Sequence, residues 1–105
     1  MSDQVPAYVV ANLLVEDSQM YHKYEKDFFP ILKNHGGELL TFDDSPESFE
    51  GSAPVSGRLV ILKFPSATAA QRWWNDDVYQ QLSEYRREAT DTRFLTLVHG
   101  LPPRG

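Results

Sequence analysis

The chain has 105 residues, enough for one domain and too few for two, and 41% of them are hydrophobic against 24% charged. A net charge of −5, with acids gathered at Glu38, Asp43, Asp44, Glu47 and Glu50, repels phosphate backbones and argues against nucleic acid as a partner. The lack of cysteine excludes disulfides, thiolate zinc sites and a thiol nucleophile, and suits a reducing, cytoplasmic setting. The N-terminal stretch MSDQVPAYVV carries an early acid and no basic region, so no secretory signal is expected. No apolar run approaches the roughly 18 residues that a membrane span needs.

Taken in order, residues 8–15 (YVVANLLV) are rich in β-branched and aromatic types and predict a strand. Asp17 is placed to cap a helix on which Tyr21, Tyr24, Phe28, Ile31 or Leu32 and His35 recur at steps of three and four, one helical face. Pro30 removes a hydrogen bond from that helix and predicts a kink or a split into 17–28 and a final turn. Gly36-Gly37 ends it. Residues 38–43 predict a second strand, 44–57 a polar loop, and 58–64 a third strand. Ser66 caps a helix carrying Ala69, Ala70, Trp73 and Trp74, which Asn75-Asp76-Asp77 interrupts. Asp77 with Gln80 has the spacing of a capping box for a further helical segment bearing Tyr79, Leu82, Tyr85 and Arg86. Residues 93–99 predict a fourth strand, and 101–105 a tail closing a single domain with its core over about 8–100.

The order β-α-β-β-α-β is the split βαβ of an α+β, ferredoxin-like fold with an antiparallel four-stranded sheet. Its strands carry apolar residues on both faces: Tyr8, Val10 and Leu14 alternate with Val9, Leu13 and Val15, and Leu59 and Ile61 alternate with Val60 and Leu62. Two helices cover only one face of such a sheet, and the other should then be polar. The simplest cover for a greasy second face is the same sheet of another copy across a two-fold axis, so a homodimer through the sheet faces is expected.

Several residues are candidates for chemistry. Glu50, in Phe49-Glu50-Gly51, would serve as a general base if its loop folded over a cleft and burial lifted its pKa, and otherwise pairs with Arg58 or Arg86. Arg86 falls on an apolar helix face, which calls either for a buried carboxylate partner or for an acidic ligand gripped by its planar fork. Trp73 and Trp74, as neighbours, point about 100° apart, so only one can face the core. His99 ends the last strand and is a candidate site residue; His22 reads as exposed, and His35 as a helix-end residue suited to the dipole. No histidine pair has metal-ligand spacing, so no metal is expected, and no Gly-x-Ser-x-Gly or phosphate-cradling loop occurs.

The sequence resembles the DUF1330 family of small dimeric α+β barrel proteins, over about residues 8–100. The resemblance runs through Tyr8, Asp17, Tyr21, Tyr24, Gly36-Gly37, Glu50-Gly51, Arg58, Phe64-Pro65-Ser66, Ala70, Trp73, Tyr79, Arg86 and Gly100. It departs at Lys63, Asp76 and His99, where an acid, a serine and a glutamate are usual. The resemblance implies a pocket between sheet and helices with Asn12, Arg58, Trp73, Tyr79, Arg86 and His99 as its lining. The wider superfamily includes cofactor-independent monooxygenases, muconolactone-type isomerases and haem-degrading oxygenases. Asn12 and Trp73 look similar to two site residues of the haem-degrading type, but Ser66–Ala89 contains no histidine to bind iron. The resemblance thus implies a cofactor-independent enzyme acting on a small carboxylated or aromatic metabolite, or else a dimeric module that binds a metabolite or partner without turnover.

Overall fold

The computed structural model describes residues 5–102; residues 1–4, part of the N-terminal stretch discussed above, and 103–105 of the expected tail lie outside them. The elements are β1 (Ala7–Val15), α1 (Ser18–Asn34), β2 (Glu38–Asp43), β3 (Arg58–Phe64), α2 (Ala67–Trp74), α3 (Asp77–Ala89) and β4 (Thr90–His99). The four strands pair antiparallel in the order β2-β3-β1-β4, the ferredoxin-like arrangement, with the helices on one face. The described residues include no helix long and apolar enough to cross a membrane.

Local signals account for most boundaries. The Asp17 carboxylate accepts from the Met20 N–H and starts α1, while Ser66 Oγ accepts from the Ala69 N–H and starts α2. Gly36, at φ +74°, supplies the left-handed residue that lets the chain leave α1. Two expectations need correcting. Helix α1 does not split after residue 28 but continues as one helix through Pro30 to Asn34. Lys26 and Pro30 are both exposed, and Ile31 and Leu32 are buried beyond them. Water can therefore solvate the carbonyl that proline leaves unanswered, and packing holds the last turn. In addition, α3 is capped by Asp76, whose carboxylate accepts from the Val78 N–H, rather than by Asp77.

The core lies between the helices and one sheet face. Val9, Ala11, Leu13, Leu62 and Phe64 point from the strands into it, and Tyr24, Trp73 and Tyr79 meet them from the helices. On the opposite face Tyr8, Val10, Leu14, Leu59 and Ile61 are half-buried, and Phe94 and Val98 are exposed. The molecule is only two layers deep, with extents of 45 × 37 × 17 Å.

Candidate functional site

Between the sheet and the helices lies a cavity of about 440 Å³, with the exposed His22, Lys26 and Phe29 of α1 among its lining. Its floor is the apolar helix-facing side of β1 and β3, where strand alternation sends Val9, Ala11, Leu13, Val60 and Leu62 to one side. Its roof is aromatic. Tyr21, Tyr24 and Phe28 descend from α1 at helical spacing, and Trp73 and Tyr79 enter from either side of the α2–α3 break. The Trp73 and Tyr79 rings lie 4.2 Å apart between centroids, and Tyr79 meets Tyr24 edge-on at 6.3 Å.

His22, Glu25, Lys26 and Arg58 bring polar groups to the exposed and half-buried part of the lining, whereas the buried polar groups are mostly donors. The hydroxyls of Tyr24 and Tyr79 are 2.8 Å apart in a buried hydrogen bond. Burial, reinforced by Tyr79, pushes the Tyr24 phenol well above its ordinary pKa. Arg86 is 3% exposed, and its guanidinium carbon stands 5.9 Å from the centre of the Tyr24 ring. One of its nitrogens, Nη1, donates to Thr92 Oγ1 at 3.1 Å. Among the described residues nothing accepts from Arg86 Nε, Arg86 Nη2 or Trp73 Nε1, and no carboxylate pairs with Arg86. An arginine inside an apolar wall without a counter-ion destabilises the fold by several kcal/mol, on the order of what a broken buried pair costs.

Arg58 at the cavity rim is the opposite case. Its Nε and Nη2 donate to the two Asp44 oxygens at 2.7 and 3.1 Å, and Nη1 donates to Glu25 at 2.9 Å. The guanidinium also stacks 4.5 Å from the Phe42 ring centre. The bond to Asp44 raises the Arg58 pKa and holds the Asp44 carboxyl below its usual range. Tyr21, beside Arg58, is raised by burial, which the arginine partly offsets. Arg58 is thereby a clasp joining α1, the 44–57 loop and β3.

Of the residues singled out in the sequence, Arg58, Trp73, Tyr79 and Arg86 come together at this cavity. Asn12 does not line it. Its alternation places it on the other sheet face, where its amide donates to the carbonyls of Ser56 and Arg58 and fastens the loop. Glu50 is exposed on the 44–57 loop, and the acids that meet Arg58 are Asp44 and Glu25. His99 is exposed at the end of β4, opposite Ala7. Trp74 is 38% exposed outside the core, and His35 pairs with Asp76 at 2.8 Å. In the sequence Tyr21, Tyr24 and Phe28 stand only as members of one helical face, and that shared face was the available signal for a cavity roof. No three described histidine, aspartate or glutamate residues are grouped as a metal site.

The model of a domain of unknown function, DUF1330, matches residues 6–101. The chain belongs to the DUF1330 family. No curated protein matches this DUF1330 sequence. Solved structures similar to it include the RPA0582 protein of Rhodopseudomonas palustris, a protein of unknown function. That structure is 19% identical at a TM-score of 0.75, over 95% of this chain and 85% of the other. SnoaB of Streptomyces nogalater, a cofactor-independent oxygenase, is 9% identical at a TM-score of 0.66, over 94% and 96%. A NIPSNAP family protein of Agrobacterium tumefaciens is 17% identical at 0.55, over 98% and 91%. At these identities the likeness shows that the chain shares their fold.

Proposed function

We propose that the protein is a homodimer that binds a small, partly apolar metabolite, carboxylated or aromatic, in the cavity between sheet and helices. The observation that carries this reading is the cavity itself. Its volume of about 440 Å³ falls within the roughly 300–1,000 Å³ typical of small-ligand sites, and its wall pairs aromatic surface with a few buried polar groups. A fold without a ligand to hold would fill such a space with side chains. Dimerisation is supported by the half-buried apolar residues of the open sheet face and by the two-layer depth of the monomer. The acidic, cysteine-free composition suits the cytoplasm.

A thermal-shift screen of aromatic and carboxylated metabolites tests the binding reading. A ligand of the cavity raises the melting temperature of the wild type and of Glu50→Gln, whose side chain lies outside the wall, but not of Ala11→Phe, which fills the cavity from its floor. A hit that stabilises all three alike binds elsewhere and sinks the reading.

A second reading, conversion without a cofactor, is favoured by the Tyr24–Tyr79 pair and Arg86 standing buried beside the apolar floor. The shared fold with a cofactor-independent oxygenase is compatible with it, as analogy only. Incubating a confirmed ligand with the protein in air, and following dissolved oxygen and product mass, separates the two. An unchanged ligand and no oxygen uptake identify a binding module.

A further inference from the structure

We infer that the ligand enters as an organic oxyanion, a flat aromatic carboxylate, whose charged oxygens are received by Arg86 and Trp73 at the inner end of the cavity. The inference rests on the binding reading above and names the ligand class for that site.

The buried polar inventory of the wall is one-sided. Arg86 Nε, Arg86 Nη2 and Trp73 Nε1 are donors only, all three are buried, and none has an acceptor among the described residues. The tyrosine pair adds a fourth. Two hydroxyls that share one hydrogen bond consume one of their two hydrogens, so whichever oxygen accepts keeps its own O–H for another partner. The four donors belong to adjacent side chains: Trp73 stacks on Tyr79, Tyr79 bonds Tyr24, and Arg86 faces the Tyr24 ring. Native interiors rarely leave even one buried donor unanswered, and this wall leaves several together beside a positive charge.

What satisfies donors and a cation at once is an acceptor bearing negative charge. The Nε and Nη2 edge of a guanidinium is a fork that matches the two oxygens of a carboxylate. Of the other cations in the lining, Arg58 is already held by Asp44 and Glu25, and Lys26 is exposed to water at the rim, away from the buried donors. A ligand with one anionic end and an apolar body therefore has a single orientation: charge against Arg86, rings along Val9, Val60 and Phe28, remainder toward the rim. Since the donors are nearly sealed, docking displaces part of the wall, and binding should quench or shift Trp73 fluorescence.

Matched acids and amides test this. Benzoate, naphthoate and biphenylcarboxylate are titrated calorimetrically into the wild type beside benzamide, naphthamide and biphenylcarboxamide. The expected result is a preference of about 10- to 100-fold for each acid that binds over its amide, as a charge-assisted pair against a neutral one implies. Arg86→Met should abolish the preference while leaving amide affinity within about threefold, and its melting temperature should not fall, since it removes an unpaired buried charge. Trp73→Phe, which keeps an aromatic ring but loses Nε1 with the second ring of the indole, should weaken the acids more than the amides. Acids and amides binding equally to the wild type overturn the oxyanion assignment and leave the cavity reading intact. Failure of every acid and every amide to bind overturns both. The wild-type comparison decides the matter even if a variant fails to fold.

Discussion

The hydroxyls of Tyr24 and Tyr79, 55 residues apart in sequence, meet at 2.8 Å in the buried cavity wall. Each is the other's only hydrogen-bond partner seen among the described residues. Changing either alone to phenylalanine strands the other and should cost about 1–3 kcal/mol in urea denaturation. The double variant should lose less than the sum of the two, because no orphan remains. Additive losses would show that the pair is not coupled.

The same phenol sets an alkaline limit. The Tyr24 pKa in the folded protein lies well above that of the unfolded chain, because burial disfavours the phenolate. Its contribution is fully present below the unfolded value of about 10 and is lost as pH rises through the folded one. Tyr24→Phe should therefore flatten the fall of melting temperature above about pH 10. A limb of unchanged steepness would assign alkaline unfolding to other groups.

At the acid end the sign reverses. The Asp76 carboxyl is lowered chiefly by its hydrogen bond with His35 and then by the Val78 N–H, and that of Asp44 by its bond from Arg58. Both lie below the unfolded value of about 3.9. What they contribute is present above that pH and disappears as pH falls through their folded values. Asp76→Asn and Asp44→Asn should each lower stability at neutral pH and shallow its decline below about pH 4. A full decline retained in both would place the acid-labile groups elsewhere.

Gly37 is a test of packing. A Cβ there would meet Leu32 Cδ1, and would lie 2.8 Å from Phe64 Cε1 and 2.9 Å from Leu32 Cγ. Leu32 and Phe64 are fully buried, so neither side chain can yield into solvent. Gly37→Ala should cost about 1–3 kcal/mol, measured by chemical denaturation. The same change at Gly51, where no atom approaches, would carry only the backbone penalty of its φ of +121°.

Assembly is the remaining prediction. The proposed dimer should elute with twice the mass of the 12.0 kDa chain in light scattering. Val10 lies at the centre of the open face, paired with Ile61 and Thr96. Val10→Asp should convert the dimer to monomer while retaining its circular dichroism. A wild type that is monomeric at micromolar concentration ends the idea.

The sequence by itself determined the order of the elements and much of their extent. Strands 38–43 and 58–64, the caps at Asp17 and Ser66 and the break at Asn75 are written in neighbouring residues, because periodicity, capping and turn chemistry act over a few positions. It was also enough to mark Arg58, Trp73, Tyr79 and Arg86. Only the tertiary structure decided what those residues meet. That Arg58 is satisfied by Asp44 and Glu25 while Arg86 meets no acid among the described residues, that Tyr24 reaches Tyr79, and that Asn12 faces away from the cavity all depend on strand register and helix docking. Contacts between segments dozens of residues apart leave no local pattern, so a partnered arginine and an unpartnered one look alike until the chain is folded.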